Sequence, residues 1–366
     1  MLIGWAADTF SGDIKLRERA ASVRTQLAAE YWIPVVCWHH FEELIRHSSE
    51  DVAESRIKFL LSLPFIAWVS RADRYENAIG SVVDVLAREI NAFLSSDGIS
   101  TKSNEFVNAV RACLLQFGRP TQLPMSSWRE LRPDLIALGQ REQEIASIQH
   151  TGEYKNDDAL LSTLNSLVRR SPEEITHVCS IESVQLAHQL ASKGDKRLGD
   201  TKELANLFYS DAVLPKIVGA LLSEQPLLDA FICQFGFSPS DFSDCITLGD
   251  FSKAATRYNK LDISLRQLGI PIQDIWPKMK NVLLPSEEII SEIRISRRNA
   301  LRASGSDLND EYMASLAPYL DVVIVDKRTY EYIAQAKKRR PELTHFFKSI
   351  FKASEYHQIP VLIDSI

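Results

Sequence analysis

Apolar and polar residues alternate with recognisable periods along the first hundred residues. The segment IKLRERAASVRTQLAAEY places apolar side chains three and four positions apart, which predicts an amphipathic helix. The segments WIPVVCW and FIAWV are short, apolar and rich in β-branched and aromatic residues, which predicts two strands. HHFEELIRH and SVVDVLAREINAFL predict helices, the second beginning at a Ser81 cap. This part of the chain is therefore predicted to alternate between helix and strand.

From about Ser96 the strand pattern fades and helical segments dominate. Segments such as DALLSTLNSLV and LPKIVGALLSEQPLLDAFI have the apolar spacing of packed helices and carry no catalytic motif. Clusters of glycine and proline, as in GRPTQLP and FGFSPSDFSD, separate them. Residues 96–285 are therefore predicted to form an all-helical insertion, and three roles stay open for it: restricting access to a functional site, binding a protein partner, or mediating homo-oligomer formation.

The C-terminal part returns to a mixed pattern. SEEIISEIRISRRNALRAS, GSDLNDEYMASLAPYL and RTYEYIAQAKKRR predict helices, and DVVIVDK predicts a strand between the last two. A continuous VVIV run is typical of a strand covered on both faces, as in a parallel sheet between helices. Residues 1–95 and 286–366 are thus predicted to form one discontinuous α/β domain of three layers, with a central parallel sheet flanked by helices.

Composition narrows the function classes. The chain has 366 residues, a net charge of −6 and five cysteines without a CxxC pair, so neither a disulfide framework nor a zinc knuckle is indicated. No apolar run reaches the roughly 20 residues that a bilayer span requires. The N-terminus lacks the basic start and apolar core of a signal peptide. We therefore expect a cytoplasmic protein with no membrane segment.

Carboxylates cluster around the VVIV strand. Asp307 and Asp310 lie three positions apart at a helix start, on the same face of its first turn, and Asp326 follows the strand. Neighbouring carboxylates repel one another unless a hard cation such as Mg²⁺ or Mn²⁺ lies between them. Such an ion activates water and neutralises charge on a phosphodiester. The pattern therefore predicts a metal-dependent hydrolase of phosphodiesters.

Two segments carry a resemblance to a known family. SGSDLNDEYMASLAPYLDVVIVDKRT resembles the closing half of a PIN-like nuclease domain, and IPVVCWHHFEELIRH is similar to its early strand and acidic helix. The resemblance implies catalytic and metal-binding roles for Glu43, Asp310 and Asp326, with Asp307 as an auxiliary ligand. It also implies RNA as the substrate.

The family's first acid has a less definite counterpart. The family places an Asp at the end of its opening strand, and Asp8 in LIGWAADTF is the candidate metal ligand here. LIGWAADTF is equally typical of the helix that follows that strand, in which case the strand and its Asp are not part of this sequence.

Basic residues surround the predicted acids. Between Arg294 and Arg340 the local balance of charged side chains is +4, against −6 for the whole chain. The predicted phosphate contacts are Arg297, Arg298, Arg302, Lys327 and Arg328.

Each acid also has an ordinary structural interpretation. Asp307, Asp310 and Asp326 suit helix N-termini, and Glu43 suits a solvated helix face. Asp84 and Glu89 are interpreted as an exposed helical face. Two alternatives to the nuclease thus stay open: a catalytically inactive PIN-like scaffold or interaction module, and a toxin-like or defence component whose functional part is helical.

Overall fold

The protein is described from a computed structural model. The description covers all residues except 74–77, 97–98, 153–157, 164–170, 244, 298–305 and 366, and it leaves out the side chains of 149–152, 172, 306 and 307. The chain divides into two compact units. Unit 1 contains Met1–Gly139, Lys260–Arg297 and Asp307–Ile366, and unit 2 consists mainly of Gln140–Asn259. Both ends of the chain therefore belong to unit 1. The predicted insertion, residues 96–285, begins before Gln140 and ends after Asn259, so parts of it belong to unit 1.

The N-terminal part of unit 1 follows the predicted order of helices and strands. Its helices begin at polar residues that accept hydrogen bonds from the first turn, as Asp13, Ser49, Ser81 and Ser103 do. The helices are α1 (Leu2–Thr9), α2 (Ile14–Ala29), α3 (Trp38–Ile45), α4 (Glu50–Ser62), α5 (Val82–Ser95) and α6 (Asn104–Leu114). The predicted Ser81 cap is confirmed, because its side chain accepts a hydrogen bond from the backbone N–H of Val83.

The following helices continue through unit 2 and back into unit 1. They are α7 (Trp128–Gly152), α8 (Pro172–Lys193), α9 (Thr201–Leu207), α10 (Leu214–Leu221), α11 (Leu227–Gln234), α12 (Leu248–Leu268), α13 (Ile272–Met279), α14 (Pro285–Arg297), α15 (Ser306–Ala314), α16 (Lys327–Arg339) and α17 (Ile359–Ile363). A π-helical segment, Phe208–Val213, joins α9 to α10. None of the described helices is long and apolar enough to cross a membrane.

The predicted three-layer fold with a central parallel sheet is wrong. About 70% of the structure is helical. Within the described ranges the strands number five and form two small sheets, one of three strands and one of two. The strands are β1 (Val35–Val36), β2 (Ile66–Val69), β3 (Leu115–Gly118), β4 (Val323–Val325) and β5 (Ile350–Lys352). Three apolar runs do form the strands β1, β2 and β4 that their patterns predict, but they do not join one sheet.

The first sheet has the order β1-β2-β3. β1 pairs with β2 in parallel, with Val35 opposite Ala67, and β2 pairs with β3 antiparallel. The Trp68 Nε1–H donates to Gln116 Oε1 at 3.0 Å across the second pair. Since β1 is the first strand in this order, only one of its edges is paired within the sheet.

The second sheet consists of β4 and β5 in parallel, with Val323 opposite Ile350. Unit 1 correspondingly contains two clusters of buried apolar residues. The first cluster surrounds the three-stranded sheet and includes Trp5, Phe59 and Trp68, while the second surrounds β4 and β5 and includes Val323 and Phe346. Each small sheet therefore has a core of its own.

Candidate binding groove

The predicted acids occupy separate structural roles. Asp326 is the N-cap of α16, where it accepts a hydrogen bond from the backbone N–H of Thr329 at 2.7 Å. Asp8 accepts hydrogen bonds from Tyr356 Oη at 2.7 Å and Arg19 Nη2 at 2.8 Å. Burial alone would raise the pKa of Asp8, but these two partners outweigh it and hold the pKa below its usual value. The structural interpretation of Asp326 as a cap is thus confirmed, and Asp8 is held in an ion pair.

Glu43 and Asp310 lie on helices that meet. The rings of His39 on α3 and Tyr312 on α15 have centroids 4.8 Å apart. Glu43, one turn after His39, is half-buried, as is Asp310. The fully buried acid of α3 is instead Glu42, which accepts a hydrogen bond from Trp38 Nε1 at 2.6 Å and lies 3.1 Å from His39 Nδ1.

His39 gains a charge-stabilising partner in this arrangement. Burial favours its neutral ring, but the hydrogen bond to Glu42 together with the charges of Cys37 and Glu42 outweighs that effect and raises the pKa of His39. Its Nε2 atom is buried without a hydrogen-bond partner. Among the residues whose side chains the structure describes, no group of three or more His, Cys, Asp or Glu is placed to hold a metal ion. The side chain of Asp307 lies outside that set.

The predicted phosphate contacts are also dispersed. Arg297 is buried, with its Nη1 atom 2.5 Å from Glu311 Oε1. Lys327 is exposed and lies 3.9 Å from Glu331. Arg328 is half-buried, and Arg298 and Arg302 lie outside the described residues.

An apolar groove lies between the two sheets of unit 1. Its volume is about 580 Å³, within the range of roughly 300–1,000 Å³ that is usual for ligand sites. β1 and the two residues before it line one side of it through Ile33, Pro34 and Val35, and β4 lines another through Val323 and Ile324. Ala67 of β2 and Phe117 of β3, which are paired neighbours across the first sheet, also line it, so the groove extends over one face of that sheet as well as along β1.

Large apolar side chains stay exposed at this groove. Tyr31 is 90% exposed and Phe117 is 56% exposed, and Met1 and Ile33 are also exposed. A neighbouring cavity of about 270 Å³ shares Tyr31 and Ile33 and adds the exposed Phe65. Single exposed apolar residues are ordinary on a protein surface, but a contiguous group of them marks an interaction site.

The residue Tyr31 is held in an unusual backbone conformation. It follows the C-cap of α2 with φ of +58°, in the left-handed region where glycine is usual. Its N–H donates to Ala28 and the next N–H, that of Trp32, donates to Leu27, which is the Schellman pattern that ends a helix. An exposed aromatic residue thus occupies a backbone conformation that glycine adopts with less conformational strain.

The polar groups of the groove are few. Arg111 and Asp321 are the charged side chains among its lining residues, and they pair with each other at 2.7 Å. His40 also lines the groove, and burial lowers its pKa. The groove therefore offers apolar contacts without a charged side chain that lacks a counter-charge.

A buried acid lies behind one wall. Tyr319 lines the groove, and its hydroxyl contacts Glu89 on α5. Glu89 Oε1 also accepts from the Ser286 N–H at 2.8 Å, and Oε2 meets Ser286 Oγ. Burial raises the pKa of Glu89 to about 8 despite the opposing effect of the hydrogen bonds from Ser286 and Tyr319. The two oxygens of Glu89 accept all of these hydrogen bonds, Oε1 from Tyr319 and the Ser286 N–H, and Oε2 from Ser286 Oγ.

Charged residues of α14 form a second buried polar region. Glu292 accepts hydrogen bonds from Arg339 at 2.6 Å, and Glu311 on α15 accepts one from Arg294 Nε at 2.8 Å. Arg297 completes this region through its contact with Glu311, which is electrostatic, because neither atom of that contact has hydrogen-bond geometry.

Sequence reasoning missed both regions. The interpretation of Asp84 and Glu89 as an exposed face is wrong, because both are buried. A signal existed for Asp84, since Ser81 and Asp84 have the spacing of a capping box, and the box forms. No local pattern could indicate Glu89, because its partner Ser286 lies 197 positions away.

Comparison with protein-family models, with curated proteins and with solved structures gave no match.

Proposed function

We propose that this protein is an interaction module whose binding site is the groove between β1 and β4. The observation that carries the proposal is the concentration of exposed apolar side chains around one cavity of about 580 Å³ in unit 1. Leaving such side chains in water forfeits the free energy of their burial, about 25 cal/mol per Å² of apolar surface. A partner that covers them recovers that energy, which is the general basis of apolar recognition.

The strained rim residue supports the same proposal. A non-glycine residue in the left-handed region costs about 1–2 kcal/mol. Tyr31 occupies that region while its side chain is 90% exposed, so contacts within the chain do not explain it. Tyrosine is among the residue types enriched at binding surfaces, because its ring gives contact area with little loss of side-chain entropy.

A titration with the fluorescent apolar probe bis-ANS tests the proposal. Phe117→Ser removes an exposed ring from the groove without adding a charge that would attract the anionic probe, so we expect at least tenfold weaker binding of the probe. Val52→Ser is the matched control, because Val52 is an exposed apolar residue of α4 that does not line either cavity. Equal probe affinities of the wild type and Phe117→Ser, with both proteins folded by circular dichroism, would contradict the proposal.

The second candidate function is the metal-dependent nuclease. The contact between His39 and Tyr312 favours it, because that contact brings the helix of Glu43 against the helix of Asp310. The resemblance to PIN-like nucleases assigns metal-binding roles to these two acids and to Asp326. RNA is the substrate that it suggests, with Mg²⁺ or Mn²⁺ as the activating ion.

A thermal melt with and without Mn²⁺, beside incubation with RNA and single-stranded DNA, tests this candidate. Stabilisation by Mn²⁺ and cleavage that are both lost in Asp310→Asn would support it. Glu331→Gln is the control, since Glu331 is an exposed acid of α16 outside the proposed set. Cleavage that persists in Asp310→Asn would rule out the assigned residues.

A further inference from the structure

The edge of β1 presents unpaired backbone groups to the groove. The carbonyl of Pro34 accepts a hydrogen bond from the Ala67 N–H, so the C=O of Pro34, which has no backbone N–H, faces β2. Backbone groups alternate in direction along a strand, so the N–H and C=O of the next residue, Val35, point away from β2. Val35 lines the groove. Ile33 and Pro34 line the groove in succession before it, so the groove borders this edge of β1, where the N–H and C=O of Val35 lie.

The edge of β4 presents the same kind of groups. The Val323 N–H donates to Ser349 at 2.8 Å, and the Val325 carbonyl accepts from the Ala353 N–H at 3.3 Å, so both residues face β5. By the same alternation, the N–H and C=O of Ile324 point away from β5. Ile324 also lines the groove. Two strand edges with free donors and acceptors thus border one apolar cavity.

From this juxtaposition we infer that the groove binds an extended apolar strand of another polypeptide, which adds to the edges of β1 and β4 and joins the two sheets. The inference rests on the proposed function and names its partner class. Addition of a strand to a sheet edge is an established mode of peptide recognition, in which main-chain hydrogen bonds supply affinity and side-chain pockets supply specificity.

The lining of the groove defines the side chains of that strand. Trp5 and Tyr356 belong to the first apolar cluster of unit 1, whereas Val323 belongs to the second, and all three line the groove. Apolar contacts are therefore available from both clusters, which suits a continuously apolar strand better than an alternating one. Arg111 and Asp321 neutralise each other at 2.7 Å, so the groove complements an uncharged segment.

The decisive probe is the peptide Lys-Thr-Val-Val-Ile-Val-Thr-Lys, compared with the same peptide N-methylated at two alternate residues. Both peptides have the same side chains, but methylation removes the donors from one edge of the strand. We expect the unmodified peptide to bind and the methylated peptide to bind at least tenfold more weakly.

Amide hydrogen exchange measured by NMR locates the binding. The Val35 and Ile324 amides should become protected when the unmodified peptide binds. The Val323 amide is an internal control, because it already donates to Ser349 and should change little. Protection of both groove-side amides together with discrimination between the peptides would support the inference.

Other results would overturn it in distinguishable ways. Equal binding of the two peptides would mean that the groove recognises side chains alone, which overturns strand addition and leaves the interaction module standing. Absence of peptide binding, with bis-ANS still bound and still sensitive to Phe117→Ser, would likewise overturn strand addition and leave the interaction module standing. Loss of that bis-ANS sensitivity as well would remove the proposed function. A stable dimer with Val35 and Ile324 protected before peptide is added would assign the groove to a second copy of the chain.

Discussion

Helix α14 and the groove both belong to unit 1, but they differ in whether their polar groups have partners within the protein. Around α14, buried carboxylates such as Glu292 and Glu311 have arginine partners within 2.8 Å. At the groove, apolar side chains are exposed, and the backbone groups of Val35 and Ile324 face a cavity. The charges of the first region are paired within the protein, whereas the groove is complementary to something outside it.

The two regions should respond differently to mutation. A buried ion pair is weak evidence of net stabilisation, because desolvation offsets its attraction, but loss of one partner is costly. The α14 region should therefore be sensitive to mutation through stability alone. Mutations at the groove should change the free energy of unfolding little and should change the affinity for a ligand. Unit 1 can be followed selectively, because all six tryptophans of the chain lie in its segments.

The largest expected effect is the loss of an ion-pair partner near α14. Glu311→Gln leaves the buried Arg297 without its counter-charge, and we expect unit 1 to lose about 3–5 kcal/mol of its free energy of unfolding. Urea unfolding followed by tryptophan fluorescence measures this loss. The same substitution at Glu331, whose contact with Lys327 is exposed and 3.9 Å long, should change little. Equal losses in the two variants would show that the buried ion pair near α14 matters no more for stability than an exposed one.

The next effect concerns pH. The pKa of Glu89 is raised to about 8 in the folded protein, from 4.5, so the folded state binds an extra proton between these values. The stabilisation from this group is complete below pH 4.5 and is lost as the pH rises to about 8. Glu89→Gln should remove that loss, roughly 2–4 kcal/mol between pH 5 and 8.

Urea unfolding of both proteins across pH 5–8 checks this expectation. The range ends at pH 8 because burial also lowers the pKa of Lys260 to about 8, and its titration adds a second effect above that pH. A wild type whose dependence on pH matches that of Glu89→Gln would show that Glu89 is ionised in the folded protein.

These two regions also show what a sequence can and cannot predict. Elements with a clear period and a capping residue were predictable, as the helix after Ser81 and the apolar strand before Asp326 show. The short strand LQFG was not predicted, because its four residues follow α6 without a break and are too few to establish a period. An apolar residue such as Trp5 or Leu27 has the same spacing from its apolar neighbours in the sequence whether it fills a core or also borders an open groove. The groove depends on where two sheets end, which is a property of tertiary structure.

A smaller effect separates capping from catalysis at Asp326. Asp326→Ala removes the acceptor for the Thr329 N–H and should cost about 1 kcal/mol. Asp326→Asn retains a capping oxygen and should change stability little, whereas it should abolish metal-dependent cleavage if the nuclease assignment holds. Unfolding of both variants and cleavage by Asp326→Asn provide the two measurements. Full stability of Asp326→Ala would contradict the role of the cap.

The smallest expected effect concerns Tyr31, the exposed aromatic residue at the groove. Tyr31→Gly should raise the free energy of unfolding by roughly 0.5–1 kcal/mol, since it relieves the left-handed strain, part of which glycine's greater freedom in the unfolded chain offsets. It should also weaken binding of bis-ANS, because the exposed ring is removed. Tyr31→Ala is the matched control: it should weaken binding equally without the gain in stability, because the strain remains. If Tyr31→Gly is destabilised instead, the Tyr31 ring contributes to folding, and its exposure is then no evidence of a surface that binds a partner.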